Sequence, residues 1–198
     1  MKTIADQILQ ASLANDMLAV TLFVHQYGSS IAQHIDYETF SQIVQHGHDS
    51  IVQMLIGHGV NVNMRHPRTG ATVLHKMCIQ GNTQKVELLL HLGADTTLLN
   101  CVRTPLLDAA YHGHLDCIKL LVEHGANLNY YADDEENAIN YVLFSKVENS
   151  GVLEYLLANS VECNEDAISM LSSQEKVIPE HRQILKRWGY SSYSYGAL

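Results

Sequence analysis

The chain has 198 residues, 46% of them hydrophobic, and its 12 Lys and Arg against 21 Asp and Glu give a formal net charge of −9. Nucleic acids and anionic membrane surfaces are therefore poor partners, because both require a basic protein face. No stretch approaches the roughly 18 consecutive apolar residues of a membrane-spanning helix.

The N-terminus and the cysteines favour a cytoplasmic location. Asp6 and Gln7 interrupt the segment that would be apolar in a signal peptide. The four cysteines contain no CxxC pair, so we expect reduced thiols rather than disulfides or a zinc site.

Glycines recur in pairs separated by 12 residues, at Gly47 and Gly59, Gly81 and Gly93, and Gly113 and Gly125. The first glycine of each pair marks a turn between two helical segments, and the second marks the loop that follows them. The second helical segment carries an apolar stripe. Regular spacing of this kind predicts a solenoid of stacked helix pairs.

The N-terminal third predicts two degenerate copies of this unit. Residues 20–28 match the end of a second helix, and Asp16 occupies the position of the turn glycine. Residues 38–41 fill the start of the next first helix, and residues 51–61 form its second helix and loop.

The two clearest copies lie in the middle of the chain, at residues 70–94 and 103–126. Thr72 and Thr104 stand where a helix N-cap is expected, and Pro105 fits the first helical position because it needs no backbone donor there. His75 is placed to hydrogen-bond back to Thr72. Gly93 and Gly125 fit the left-handed position after a helix.

The C-terminal part predicts two further pairs. Residues 137–140 fill the first-helix motif, residues 153–157 form the stripe, and Ser160 stands where glycine is expected. Residues 164–171 and 180–188 predict a closing pair that begins its second helix at Pro179 and ends at Gly189. Residues 191–198 have no helical period, and we expect a flexible tail.

The RTPLLDAA segment at residues 103–110 and the GATVLH segment at residues 70–75 resemble the ankyrin repeat. The resemblance implies an all-α solenoid of about six helix-turn-helix units with short β-hairpin fingers near residues 62–71, 96–103 and 129–136. The expected array covers residues 1–190 as units at about 1–30, 34–65, 68–98, 100–131, 133–163 and 164–190. Short irregular arrays are also similar in style to host-directed effectors of intracellular bacteria, which act in a host cytosol, although no motif carries that likeness.

In ankyrin arrays a partner protein usually meets the fingers and the exposed side of the first helices. The residues that the resemblance places there are Tyr37, His46, Arg68, Ile79, Arg103, Tyr111, His112, Asp133, Asp134, Glu136 and Phe144. Arg103 and Tyr111 are the strongest candidates, because arginine and aromatic side chains dominate interface hot spots. We expect their replacement to weaken binding and to leave the fold unchanged.

The 12 histidines are as numerous as Lys and Arg together. The repeat pattern accounts for six of them, namely His48, His58, His75, His91, His114 and His124. The His-Gly-His spacings at residues 46–48 and 112–114 lie in turns, without a further ligand to complete a tetrahedral site. We therefore expect no metal and no cofactor.

Catalytic motifs are missing from the sequence. It contains no Gly-x-Ser-x-Gly elbow, phosphate-binding loop or His-Glu-x-x-His helix. An enzymatic activity is therefore not expected.

Acidic residues are concentrated in one part of the chain. Residues 130–166 hold nine acids and one base, and four of the acids are consecutive at residues 133–136. This pattern predicts a partner with a basic patch and an association rate that falls with salt.

The sequence therefore favours a protein-binding module, monomeric by itself, that acts as inhibitor, adaptor or effector. Two alternatives remain open. One is a metal- or pH-responsive binding protein based on the histidine content, and the other is a dedicated regulatory subunit or chaperone of one enzyme.

Overall fold

The computed structural model describes residues 2–132, 135–145, 147–172 and 177–190. Over these residues the chain forms six successive helix pairs. The first helices of the pairs are α1 (Ile4–Leu13), α3 (Tyr37–His46), α5 (Val73–Gln80), α7 (Pro105–His112), α9 (Ala138–Phe144) and α11 (Glu165–Ser172). The second helices are α2 (Met17–Tyr27), α4 (Asp49–Gly57), α6 (Thr83–His91), α8 (Leu115–Glu123), α10 (Ser150–Ala158) and α12 (Pro179–Arg187). A 3-10 helix, Gly28–His34, joins the first pair to the second.

The helices form two layers. The first helices pack side by side from α1 through α11, and in the second layer α2 contacts α4, α6 contacts α8, and α10 contacts both α8 and α12. The apolar stripes meet between the layers, where Phe40, Leu74, Leu106, Leu89 and Ile118 are fully buried. The predicted all-α ankyrin-type solenoid is confirmed. No described helix has the length and apolar character needed to cross a membrane.

The helix starts follow the predicted capping pattern. The Thr104 hydroxyl accepts a hydrogen bond from the backbone N–H of Leu107 at 3.3 Å, and Pro105 occupies the first helical turn of α7. In α5, Nδ1 of His75 lies 3.1 Å from the backbone nitrogen of Thr72 and 2.9 Å from its hydroxyl. Each cap satisfies backbone donors that the first helical turn leaves without a partner.

The second helices end in left-handed residues, as predicted for Gly93 (φ 86°) and Gly125 (φ 87°). Ser160 adopts the same conformation with φ 61° although it carries a side chain. The prediction for the first pair is wrong by one residue. Asn15, with φ 54°, takes the left-handed position, while Asp16 caps α2 by accepting from the backbone N–H of Ala19 at 2.9 Å.

The fingers, predicted as short β-hairpins, are tight turns. In the first finger, residues 62–71, one antiparallel bridge joins Arg65 to Thr72, and no longer strand occurs in the part of the chain that the structure describes. In the second finger, residues 96–103, the Asn100 N–H donates to the Arg103 carbonyl at 2.9 Å. Asp133 and Asp134 of the third finger, and the predicted tail at residues 191–198, lie outside the described residues.

Candidate partner-binding surface

Equivalent positions of the first helices α5, α7 and α9 lie on the same side of the array. Ile79, Tyr111 and Phe144 each occupy the seventh position of their helix. Asp108 and Tyr141 occupy the fourth position of α7 and α9, one helical turn earlier on the same face. Stacking of the helices therefore brings these two positions of neighbouring repeats together.

A cluster of aromatic rings around one arginine forms where α7 meets α9. The guanidinium carbon of Arg103 lies 5.3 Å from the ring centre of Tyr111 and 5.7 Å from that of Tyr141. Tyr141 packs edge-on against Phe144 at 6.4 Å, and Tyr111 packs edge-on against His112 at 5.1 Å. We call Arg103, Tyr111, His112, Tyr141 and Phe144 the aromatic–arginine cluster.

The cluster has an accessible edge and a buried base. Phe144 is 42% exposed, and Arg103, Tyr111 and His112 are half-buried, whereas Tyr141 is buried. Four of its five members were predicted from the sequence. Tyr141 was missed, although an aromatic residue at the fourth position of a first helix was a usable signal.

Arg103 is held by a buried carboxylate. Its Nε lies 2.8 Å from Oδ1 of Asp108, as an ion pair rather than a directed hydrogen bond, and Asp108 has no solvent exposure. The side chain of Asn100 donates to the other carboxylate oxygen at 2.9 Å. Burial raises the pKa of Asp108 to about 6, against the opposing effects of Arg103, His112 and Asn100. Contrary to the expectation from the sequence, the structure predicts that loss of Arg103 destabilises the fold, because its removal would leave a buried carboxylate without its counter-charge.

The backbone of Arg103 is positioned by the preceding repeat. Nδ1 of His75 accepts from Thr72, so its Nε2–H donates to the Arg103 carbonyl at 3.1 Å. Burial lowers the pKa of His75 to about 4, which keeps the ring neutral as this arrangement requires. The motif histidine of one repeat thus fixes the finger of the next.

The remaining predicted residues are scattered, and one is not available at the surface. His46 and Arg68 are exposed and Ile79 is half-buried, outside the cluster. Tyr37 is only 8% exposed because its ring packs edge-on against His66 at 5.1 Å. Its predicted place on the binding surface is therefore wrong.

The third finger contributes Glu136, which is half-buried. Its carbonyl accepts from the Ala132 N–H at 2.8 Å. The structure therefore describes the base of this acidic finger.

The fingers also touch one another. The guanidinium of Arg65 in the first finger donates to the Leu99 carbonyl in the second, and the exposed Cys101 thiol lies 3.4 Å from the Thr69 carbonyl. Sequence reasoning missed Arg65 because it falls between motif positions. These contacts make the first two fingers one continuous edge.

Buried thiols and histidines serve the fold. Burial raises the pKa of the thiols of Cys78, Cys117 and Cys163, which favours the unreactive protonated form. The Nε2 of His114 lies 3.0 Å from the Ile79 carbonyl and joins two repeats. In the described ranges, no group of three or more His, Cys, Asp or Glu is placed to hold a metal ion.

A family model described as ankyrin repeats (3 copies) matches the chain in three overlapping segments, at residues 9–100, 40–132 and 86–167. The ankyrin repeat and SOCS box protein 11 of Danio rerio is 37% identical over 94 residues, covering 48% of this chain and 32% of that protein. The SMC5-SMC6 complex localization factor protein 1 of Homo sapiens is 26% identical over 151 residues, covering 75% of this chain and 13% of that protein. An ankyrin repeat protein of Fowlpox virus (strain NVSL) is 35% identical over 89 residues, covering 44% of this chain and 26% of that protein. The matched segments span about a third or less of each of these relatives.

Proposed function

The chain belongs to the ankyrin-repeat family, and from that premise we propose that it binds a partner protein through the aromatic–arginine cluster and the adjoining fingers. Ankyrin repeats are generally protein-interaction modules rather than catalysts. The proposal adds a position for the interface and a chemistry for the partner.

The observation that carries the proposal is the restrained geometry of the cluster. Arg103 is fixed by Asp108 and lies over two tyrosine rings, so its orientation is set before a partner arrives. Preorganised side chains lose little conformational entropy on binding. The exposed ring of Phe144 lies beside this rigid base and supplies apolar surface of the type found in hot spots.

The acidic part of the chain suggests the partner's charge. Residues 130–166, with nine acids and one base, include residues 130–136 of the third finger and all of α9 and α10. We propose that Phe144 inserts into an apolar pocket of the partner and that a basic patch of the partner lies opposite the third finger. Long-range attraction of this kind accelerates association at low salt.

Replacement of Tyr111 or Phe144 by alanine tests the proposed interface. The partner is first obtained by affinity capture with the full chain, and binding of purified variants is then measured by calorimetry. Each substitution is expected to weaken binding by about 2 kcal/mol, or roughly thirtyfold, with an unchanged circular dichroism spectrum. Arg103 is not a clean probe, because its loss also affects Asp108.

The matched control is Leu22→Ala, which truncates a 60% exposed apolar residue on α2, remote from the cluster in the array. It should bind the partner like the wild type. Wild-type affinity in both cluster variants, or an association rate that does not change between low and high salt, would contradict the proposal.

The consequence of binding for the partner distinguishes the candidate roles. Inhibitor, adaptor and effector, the functions favoured by the sequence, differ in whether the partner's activity falls, its location changes, or a host pathway responds. An activity assay of the captured partner with and without the chain separates an inhibitor or regulatory subunit from an adaptor. Action as a monomer in the cytoplasm is part of the proposal and rests on the sequence alone.

A further inference from the structure

Two exposed histidines from neighbouring repeats meet in the second layer, in a different part of the fold from the aromatic–arginine cluster. His91 is the last residue of α6, and His124 directly follows α8. Their ring centres are 5.3 Å apart, with planes at 79°. The two residues are 33 positions apart in sequence, so only the stacking of the repeats brings them together.

Both rings are held in the same tautomer. Nδ1 of His91 lies 2.9 Å from the Glu87 carbonyl, and Nδ1 of His124 lies 2.9 Å from the Leu120 carbonyl. A carbonyl oxygen can only accept, so in each neutral ring Nδ1 carries the proton and Nε2 keeps a free lone pair. Metal-binding histidines are typically oriented in this way, with the other ring N–H donated to a carbonyl or carboxylate.

The ring separation fits a shared metal ion. With a zinc–nitrogen distance of about 2.0–2.1 Å, the centre of an imidazole ring lies about 3.2 Å from the ion. Two such rings at a tetrahedral angle have centres about 5.2 Å apart, close to the observed 5.3 Å.

The surroundings favour a cation. Both histidines lie at helix C-termini, where the last carbonyls carry partial negative charge. The charged residues within four positions of either histidine are the acids Glu87, Asp95 and Glu123. No lysine or arginine falls within these four-residue windows.

We propose that His91 and His124 bind one divalent transition-metal ion through their Nε2 atoms, with water in the remaining coordination positions. Zn²⁺, Cu²⁺ and Ni²⁺ are the ions that imidazole ligands suit. The expectation of no metal considered only histidine pairs within one turn, and this pair is formed between turns of two repeats. A bound ion joins the third and fourth repeats and therefore stabilises the array.

Titration of the full chain with ZnCl₂, followed by calorimetry, tests the site. The wild type should bind one ion in its tightest step. His91→Gln and His124→Gln each reduce the site to a single imidazole, and each is expected to weaken that step by about 10²-fold, because the second ligand no longer acts intramolecularly. Both side chains are exposed, so the variants should keep the wild-type melting temperature in the presence of a chelator.

His58→Gln is the matched control. His58 also follows its helix and places Nδ1 2.9 Å from the carbonyl four residues earlier, at Met54, but among the described residues it has no ring contact with a second histidine. Zinc should raise the melting temperature of the wild type and of His58→Gln, and should leave that of the two site variants unchanged. Absence of a saturable tight step in the wild type, or equal zinc affinity in the wild type and both site variants, would overturn the inference.

Discussion

Asp108 places a carboxylate at a fully buried position, and Asp108→Asn tests what its ionisation costs. The carboxylate has no exposure, and burial raises its pKa from 3.8 to about 6 even with Arg103 beside it. The shift is about two units, and each unit corresponds to about 1.4 kcal/mol, so the ionised form destabilises the fold by about 3 kcal/mol at pH 7.5. Asparagine has nearly the same shape and can still accept from Asn100 through its amide oxygen. Its NH2 group then takes the place of Oδ1 beside Nε of Arg103, so about 3 kcal/mol is the upper limit of the gain.

The sign of the pH dependence follows from the direction of the shift. A carboxyl group with a higher pKa in the folded state binds its proton more tightly there than in the unfolded chain. Its contribution to the free energy of unfolding therefore falls as the pH rises from about 4 through 6, and below pH 4 the penalty is absent. The asparagine variant lacks this dependence.

Urea denaturation monitored by circular dichroism, at several values between pH 4 and pH 7.5, measures the effect. We expect Asp108→Asn to be more stable than the wild type by up to about 3 kcal/mol at pH 7.5 and to differ little at pH 4. The difference between the two proteins is the quantity to compare, because His75 titrates in the same range in both. Asp116→Asn, which changes an exposed aspartate 3.9 Å from Lys119, is the control and should change stability by less than about 1 kcal/mol.

The reasoning would be refuted if Asp108→Asn were less stable than the wild type at pH 7.5 and this loss of stability were larger than any loss at pH 4. That result would mean that the ion pair with Arg103 outweighs the cost of burying the carboxylate. Buried ion pairs are seldom net stabilising compared with neutral residues of similar shape, which is why the opposite outcome is expected.

Two further predictions concern the repeat framework. His75→Ala leaves the Thr72 N–H without its side-chain acceptor, removes one of the two donors to the Arg103 carbonyl and empties a buried site, so urea denaturation should show a loss of about 3 kcal/mol at pH 7. The pKa of His75 is about 4 in the fold against 6.5 in the unfolded chain, so the wild type itself loses stability as the pH falls through this range. The difference between the two proteins should therefore shrink towards pH 4. A difference that grows towards pH 4 would contradict this assignment. Ser160→Gly removes the side chain from a left-handed residue at φ 61° and should raise the free energy of unfolding by about 0.5–1 kcal/mol, measured by thermal unfolding. The reverse exchange Gly125→Ser, at φ 87°, should lower the free energy of unfolding. Stabilisation by both exchanges would show that backbone strain does not govern the position after the second helix.

The helix boundaries could be predicted from sequence because they depend on neighbouring residues. Thr104 and Pro105 begin α7 through contacts within four positions. Gly125 ends α8 because glycine adopts the left-handed conformation readily. The error at Asp16 has the same local origin. Asn15 and Asp16 both suit turn and cap positions, and the pattern alone did not decide which residue took the left-handed conformation.

The candidate surface was only partly predictable. Tyr111 and Phe144 were found because the motif register fixes their side of the helix, and both belong to the cluster. Arg103 was also found, but its pairing with the buried Asp108 was not, because the burial of Asp108 depends on α9 and on the second finger. Tyr37 was wrongly assigned to the surface, because the residue that covers it, His66, is 29 positions away in the sequence. The two rings meet only when the first finger folds back onto α3.

By itself the sequence determined the repeat unit, the caps and turns that bound its helices, the apolar stripes and the concentration of acids in residues 130–166. Each of these features depends on a short segment of sequence, because the interactions that produce it join residues only a few positions apart. Tertiary structure decided which side chains meet between units: Arg103 over Tyr141, His75 on the Arg103 carbonyl, and His91 against His124. Those contacts depend on the offset and rotation between stacked repeats, which change the distances between side chains by several ångströms without altering the sequence pattern of any one repeat.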